Sequence, residues 1–317
     1  MDSIDRMAPN TEDAEISSTT ELSDEELRKL FKPLVSEEQA KEVILKSYCK
    51  QGQSVEVLKH LDSYDDVNFM VKLNGSLYLL KVHNGVESKD FLKVYEDAGN
   101  DYFKKGSMNS VVHFQSTIMA LLISNGIKTS VPQTANDTNA PVSIHALPVV
   151  SEEHSPQKLV VRLLGWVEGT LLSEADPMPV ECLADAGRYL GQLDKVLDKL
   201  SLAAIQPAEK GPPDEQHMKD SVGSWVNFDS QHVPIDASIL EPARRFHQWD
   251  GKNTTQLRSF TSCITDERRR LMVASILNEF QSNILDSGDS KQFRQGVLHA
   301  DFNDANSKGT LRGDPGG

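Results

Sequence analysis

The stretch "NFMVKLNGSLYLLKV" at residues 68–82 constrains the fold of this chain more than any other. Two apolar runs, Phe69 to Leu73 and Leu77 to Val82, flank the dipeptide Asn74-Gly75. Asn-Gly is the strongest short-range hairpin signal, because both residues readily take the positive φ angles of a tight turn. The stretch therefore predicts two antiparallel strands joined at this dipeptide.

Further elements surround the hairpin. Four are predicted before residue 165: a helix near 36–50, a helix at about 110–125, and strands at 142–150 and 159–164. Ser36 and Gln39 form a capping-box pattern at the start of the first helix. Gly126 ends the second helix, since glycine takes the left-handed conformation common at helix ends. We interpret the polar, glycine-containing residues 84–107 as a loop or insertion.

The second half of the chain has mainly helical periodicity. After "LGWVEG" (164–169), apolar residues recur at helical spacing between 180 and 200 and again from about residue 265. The predicted apolar faces consist of Leu183, Leu190, Leu193, Leu197 and Leu200 in the first helix and Leu271, Leu277, Phe280 and Ile284 in the second. There is no internal repeat. The order of elements predicts an α+β fold with two lobes.

Charge and cysteine usage narrow the class of protein. The net charge is −14, and residues 1–26 supply −8 of it through nine acidic residues and one basic residue. We interpret this segment as a disordered acidic tail. The remainder lacks the basic stripe typical of nucleic-acid binding. Three widely spaced cysteines, with no apolar run long enough for a membrane span, favour a cytoplasmic protein with neither nucleic-acid nor membrane partner.

The stretch "HADFNDAN" (299–306) carries the clearest chemical signal. His299, Asp301 and Asn306 match the spacing of the protein-kinase catalytic loop, H-R-D-x-x-x-x-N. In that arrangement the aspartate accepts the proton of an attacking hydroxyl group and the asparagine oxygen binds Mg²⁺. His299 would support the loop through hydrogen bonds. The alternative is a polar surface loop, because Asn and Asp also favour turns.

A second signal is Lys81, a charged residue inside the apolar strand "YLLKV" (78–82). In kinases a strand lysine contacts the phosphates of the nucleotide. A lysine on the solvent face of an antiparallel strand is the alternative, but the catalytic-loop pattern downstream favours the phosphate role. A third signal is "LVVRLLGWVEG" (159–169), an apolar strand that leads into a glycine-bounded connector.

Taken together, these stretches and "SYDDVNF" (63–69) resemble the aminoglycoside phosphotransferase-like kinases. The resemblance covers roughly residues 35–306. It implies a two-lobed, protein-kinase-like fold and phosphoryl transfer to an alcohol group of a small molecule. It also implies Mg²⁺ and a nucleoside triphosphate donor. The particular likeness within the family implies GTP, with ATP as the other option, and 5-hydroxylysine as the acceptor in lysine catabolism.

The resemblance assigns a role to each matching position. The positions implied to contact the nucleotide are Ser63, Tyr64, Asp65, Asn68, Lys81, Leu164 and Trp166. The first four would cover the phosphates in place of a glycine-rich loop, although a simple turn that opens a strand is the alternative there. The last two would contact the nucleobase. Asp301 is implied to be the catalytic base, Asn306 a metal ligand and His299 a support of the loop.

Two features depart from the family pattern. Kinases pair the strand lysine with a glutamate on the next helix, yet residues 107–125 contain no acidic residue, and His113 or Gln115 stands in the expected region. After Asn306 the family continues with a strand and a metal-binding aspartate. Here "SKGTLRGDPGG" (307–317) lacks the apolar residues of a strand and offers only Asp314.

We interpret this end as a truncation of the helical second lobe and expect little or no phosphoryl transfer from the chain. The alternative is a pseudokinase, a nucleotide-binding or interaction module without catalysis. The predicted division is an acidic tail at 1–26, a nucleotide-binding lobe at 27–165, an incomplete helical lobe at 166–306 and a tail outside the family pattern at 307–317.

Overall fold

The computed structural model describes residues 22, 24–98, 111–151, 156–176, 178–205, 251–287, 297–303 and 307–309. A five-stranded antiparallel sheet in the order β1-β2-β3-β5-β4 forms its centre. The strands are β1 Val55–Leu61, β2 Val67–Leu73, β3 Ser76–Val82, β4 Ser143–Leu147 and β5 Gln157–Gly165. Together with the helices described below, the sheet confirms the predicted α+β class.

The hairpin predicted from Asn74-Gly75 is confirmed. Strands β2 and β3 pair in register up to Leu73 and Ser76, next to the turn. Asn74 has a φ angle of 49° and Gly75 of 87°, as a turn with two left-handed residues requires. The hairpin places Lys81 on β3, the central strand of the five, between β2 and β5.

Four helices accompany the sheet: α1 Asp24–Leu30, α2 Glu37–Ser47, α3 Gly85–Ala98 and α4 Val111–Ser124. The capping box between Ser36 and Gln39 is present at the start of α2. Gly126 follows α4 with a φ angle of 76°, as expected of a residue that ends a helix. These parts of the prediction are confirmed.

Two predictions about this half were wrong. Residues 84–107 were interpreted as a loop, but α3 occupies Gly85–Ala98 and Phe91 on its inner side is fully buried. The polar composition of α3 reflects its other side, since one buried stripe is enough to hold a helix on a sheet. Folded structure also begins before the helix near residue 36, because α1 starts at Asp24, within the predicted tail.

The sheet separates two hydrophobic clusters. On one face α2 packs against residues such as Phe69, Leu80 and Val161, which are 0–1% exposed. On the other face Val160 packs with Phe91 of α3 and with residues of α4. Helix α4 also contributes to a third cluster with the helix α5 described next. The second face of the sheet is therefore covered on the β4–β5 side.

After the sheet, the described elements are mainly helical. They are β6 Thr170–Leu171, a 3₁₀ turn Leu172–Glu174, α5 Val180–Ile205, a 3₁₀ segment Gly251–Cys263, α6 Glu267–Phe280, a π turn Gln281–Leu285 and β7 Lys308–Gly309. Strand β7 pairs with β6, so the expectation that residues 307–317 supply no strand was wrong for these two residues. The short pairing needs only backbone hydrogen bonds and no apolar run.

The predicted apolar faces of the long helices are covered in part. Leu193 and Leu197 of α5 are buried, whereas Leu183 is 58% exposed. In α6, Leu277 is buried and Leu271 is 62% exposed. Among the described residues, no helix combines the length and apolar character that a membrane span requires. The three cysteines are free thiols, as predicted.

Candidate nucleotide site

Three polar side chains lie side by side on one face of the sheet. Lys81 of β3 is the register partner of Asn68 in β2 and of Arg162 in β5. Register partners project to the same face with Cβ atoms roughly 5 Å apart. The buried Oδ1 of Asn68 accepts no hydrogen bond from any described residue. This row therefore combines two cations with an amide that has hydrogen-bonding capacity to spare.

An apolar row lies next to the polar row on the same face. Met70, Leu79 and Leu164 are register partners across the same three strands. Leu164 is 3% exposed, and the connector begins two residues later at Trp166, whose N–H donates to the carbonyl oxygen of Leu77 (3.2 Å). A nucleotide has a flat, largely apolar base and charged phosphates. Adjacent apolar and cationic rows match that distribution.

Lys81 forms an ion pair with Asp66, and the Nζ–Oδ2 contact is short. The two side chains are 22% and 12% exposed. Asp66 Oδ1 also accepts a hydrogen bond from the backbone N–H of Asn84 (2.8 Å). Burial by itself raises the pKa of Asp66, but the nearby His83 and Lys81, together with these hydrogen bonds, hold the pKa below its ordinary value. The carboxylate is therefore charged at neutral pH.

Arg162 is 1% exposed and lies beneath α4. Its Nε donates to His83 Nε2 (2.9 Å) and its Nη2 to Gln115 Oε1 (2.8 Å), with a longer contact from Nη1 to Ser116 (3.4 Å). Burial lowers the pKa of Arg162 to about 10, while Asp66 favours the charged form. Gln115, predicted as a possible partner of Lys81, thus binds Arg162. The side chain of His113 lies outside the described residues.

Ser63, Tyr64 and Asp65, which were predicted to cover the phosphates, lie in the loop between β1 and β2. Helix α1 contacts this loop. Lys32 donates to the carbonyl oxygens of Ser63 (3.1 Å) and Tyr64 (2.8 Å). Asp65 accepts from Arg28 of α1 (2.6 Å). Tyr64 is 70% exposed, and its hydroxyl group donates to Glu25 of the same helix. The structure thus fixes the loop through a helix whose first turn, from Asp24, lies within the predicted tail at 1–26.

The catalytic-loop residues are anchored to a different element, α5. Phe302 stacks on Tyr189 of α5 with ring centroids 6.2 Å apart. His299 Nδ1 accepts the backbone N–H of Asp301 (3.3 Å), and Asn303 donates to Asp301 Oδ1 (2.9 Å). Ala300 between them has a φ angle of 64°, a left-handed conformation that is costly for alanine. His299 thus forms a hydrogen bond within the loop, and its role in supporting a catalytic loop stays a prediction.

The connector carries a contact that we did not predict. Lys308 Nζ lies 3.6 Å from the ring centroid of Trp166 and donates to the carbonyl oxygen of Val167 (2.9 Å). Burial lowers the pKa of Lys308, against the attraction of Glu168 and Glu174. The cation thus lies on the aromatic ring that was predicted to contact the nucleobase.

The predicted Mg²⁺ ligand Asn306 lies outside the described residues. Across the described part of the chain, no group of three or more His, Cys, Asp or Glu side chains could hold a metal ion. Asp301 provides the only carboxylate in the segment 297–303. Among the described residues, Asp301 therefore has no cluster of further metal-binding side chains around it.

We predicted no role for Asp66 or Arg162. Asp66 stands inside the stretch "SYDDVNF", beside the residues that were singled out. Arg162 interrupts the apolar run "LVVRLLG" in the same way that Lys81 interrupts "YLLKV". The criterion that identified Lys81, a charge inside an apolar strand, would also have identified Arg162.

Comparisons with known proteins identify no family. No protein-family model matches the chain, and no curated protein matches it either. Among solved structures, the chain is similar to the crystal structure of spectinomycin phosphotransferase APH(9)-Ia in complex with ADP and spectinomycin. The similarity has a TM-score of 0.42 and 12% sequence identity, and it covers 88% of this chain and 67% of that chain. At a TM-score this low, the similarity carries no argument for function.

Proposed function

We propose that this chain is a small-molecule kinase of the aminoglycoside phosphotransferase type, which binds a nucleoside triphosphate on the face of its sheet that carries Lys81. The observation that carries the proposal is that a polar row and an apolar row of side chains lie next to each other on β2, β3 and β5. Lys81 would bind the phosphates, with the amide N–H groups of Asn68 as further donors. Leu164 and the apolar row would contact the ribose and base, with Trp166 at the connector.

The cationic row would stabilise the charge that develops on the transferred phosphoryl group, which is the main contribution of proteins to this reaction. Asp301 is exposed and would accept the proton of the acceptor hydroxyl group as that oxygen attacks phosphorus. Mg²⁺, when bound, would neutralise phosphate charge. The acceptor hydroxyl must therefore reach the loop 297–303 from the solvent side.

The finer proposal is a hydroxylysine kinase, with GTP as donor and 5-hydroxylysine as acceptor, acting in the cytoplasm. It is supported by the resemblance of four sequence stretches, above all "SYDDVNF" and the Phe-Asn-Asp within the catalytic loop. A turnover assay of the full chain with 5-hydroxylysine, other hydroxylated amino acids and an aminoglycoside would decide among acceptors. Binding of nucleotide without any turnover would support the pseudokinase alternative.

Lys81→Ala tests the nucleotide site directly. Removing a charge-assisted phosphate contact costs about 1.5–3 kcal/mol, so affinity for Mg·GTP or Mg·ATP should fall roughly ten- to hundredfold in calorimetric titrations. Lys72→Ala is the matched control, because Lys72 lies on the same strand face but at the exposed end of β2. Equal loss of affinity in both variants would mean that general surface charge, and no site at Lys81, attracts the nucleotide.

A further inference from the structure

Two positive charges face the same side of the sheet on neighbouring strands. Lys81 and Arg162 are register partners, and like charges in that position repel each other unless a counterion lies close. The hydrogen bonds of Arg162 all go to neutral groups: the acceptor nitrogen of His83, the amide of Gln115 and the hydroxyl group of Ser116. Among the described residues, no carboxylate therefore lies within hydrogen-bonding distance of Arg162.

Asp66 is the counterion that both cations share. Its Oδ2 binds Lys81, and its charge favours the protonated form of Arg162. The carboxylate is itself fixed, because Oδ1 accepts the N–H of Asn84 (2.8 Å). The Asn84 side chain in turn donates to the backbone oxygens of Arg28 (2.8 Å) and Asp65 (3.1 Å). Asp66 thus stands in a rigid frame of backbone contacts.

The helix that follows β3 does contain a carboxylate, but it has another partner. Glu87 lies in the first turn of α3, and its Oε1 accepts from Arg28 Nη1 (2.5 Å). Its Oε2 is buried and accepts no hydrogen bond from the described residues. Helix α4 contains no acidic residue. The helix position that usually provides a glutamate partner therefore does not provide the counterion of Lys81.

We propose that Asp66 is the positioning residue of Lys81, in the place that a helix glutamate takes in other kinases. This inference rests on the proposed function. It means that the loop before β2, rather than a helix, orients the phosphate-binding lysine. An ammonium group has three donors, and Lys81 remains 22% exposed. It can therefore bind a phosphate while Asp66 still holds it.

The experiment compares Asp66→Asn with Glu87→Gln in the full chain. Both substitutions remove one carboxylate charge with little change of shape. The first readout needs no nucleotide: the rate at which Lys81 reacts with an amine-acylating reagent, followed by mass spectrometry of the Lys81 peptide. We expect Asp66→Asn to raise this rate at least threefold and Glu87→Gln to leave it within a factor of two. Thermal melting shows whether each variant is folded.

The second readout is calorimetric binding of Mg·GTP and Mg·ATP. Asp66→Asn should weaken the binding at least fivefold. In a Lys81→Met background, Asp66→Asn should have no further effect on the affinity. A general structural defect caused by Asp66→Asn would instead weaken binding in both backgrounds. Tighter binding by Asp66→Asn would overturn the inference, because Asp66 would then compete with the phosphates. A larger effect of Glu87→Gln on Lys81 would overturn it as well.

The two proposals fail separately. If the wild type binds neither nucleotide, the proposed function fails, while the acylation rates still report on the Asp66–Lys81 pair. If Asp66→Asn does not fold, the pair is tested in the wild type by NMR of the Lys81 side chain. The ¹⁵Nζ signal of Lys81 is assigned by its loss in Lys81→Arg. A signal in slow exchange with water supports the held ammonium group, and rapid exchange like that of the exposed lysines refutes it.

Discussion

His83 should make this protein sensitive to mild acid. The residue is 3% exposed, and its Nε2 accepts a hydrogen bond from Arg162 (2.9 Å), so it must be neutral in the folded state. Burial and the adjacent charge of Arg162 hold the pKa of His83 well below its ordinary value, although Asp66 opposes the shift. A proton on this ring would place a second cation against a buried guanidinium group.

The size of the effect follows from linkage. In the unfolded chain a histidine titrates near pH 6.5, so the unfolded state takes up the proton first as the pH falls. The stability that the neutral ring contributes is present above about pH 6.5 and is lost as the pH falls towards the folded-state pKa. For one such group the loss reaches about 1.4 kcal/mol at pH 5.5. Burial also lowers the pKa of His145, so this residue adds a loss of stability in the same direction.

Urea denaturation followed by far-UV circular dichroism at pH 7.5, 6.5 and 5.5 measures this loss. His83→Gln keeps a side-chain acceptor for Arg162 but cannot titrate. It should lose about 1.4 kcal/mol less than the wild type over that range. His60→Gln, which replaces an exposed histidine in the same way, is the matched control. If His83→Gln and the wild type lose the same free energy, the ring is not held neutral and the reasoning fails.

Two further changes test the start of α2 and the connector. Ser36→Ala removes the acceptor of the Gln39 N–H (3.2 Å), so the free energy of unfolding should fall by about 1 kcal/mol in urea titrations, whereas Ser36→Asp should retain it. Lys308→Met removes a cation worth about 0.5–1 kcal/mol from the face of Trp166, so Mg·GTP affinity should rise about two- to fivefold if the base stacks there. Unchanged affinity in calorimetry would place the base elsewhere.

The hairpin and the capped helix α2 could be predicted from the sequence because their signals are local. Asn74-Gly75 specifies its turn through the backbone angles of two residues. Ser36 and Gln39 satisfy backbone groups within three residues of each other. Neither signal depends on what packs against the element, so tertiary structure had little opportunity to override it.

Helix α3 could not be predicted in this way, because its evidence is tertiary. Its sequence "GVESKDFLKVYEDA" is mostly polar, and the helix is held by a narrow stripe that includes Phe91. That stripe has a place to pack only because β5 lies inside the sheet, between β3 and β4, a fact of strand order that no local pattern contains. Missing α3 also led us to look for the partner of Lys81 in residues 107–125 alone.

The partners of the site residues also could not be predicted from local sequence, and Asp66 illustrates this. The adjacent residues Asp65 and Asp66 are chemically identical in sequence, yet one pairs with Arg28 of α1 and the other with Lys81 of β3. Both residues lie in the bend before β2, so the distinction depends on which cation lies near each side chain. The cation for Asp65 comes from α1, a helix that begins within the predicted acidic tail and that was not predicted from the sequence. Sequence chemistry thus identifies the stretch that we propose to bind the nucleotide, whereas the different partners of its two carboxylates depend on the position of α1.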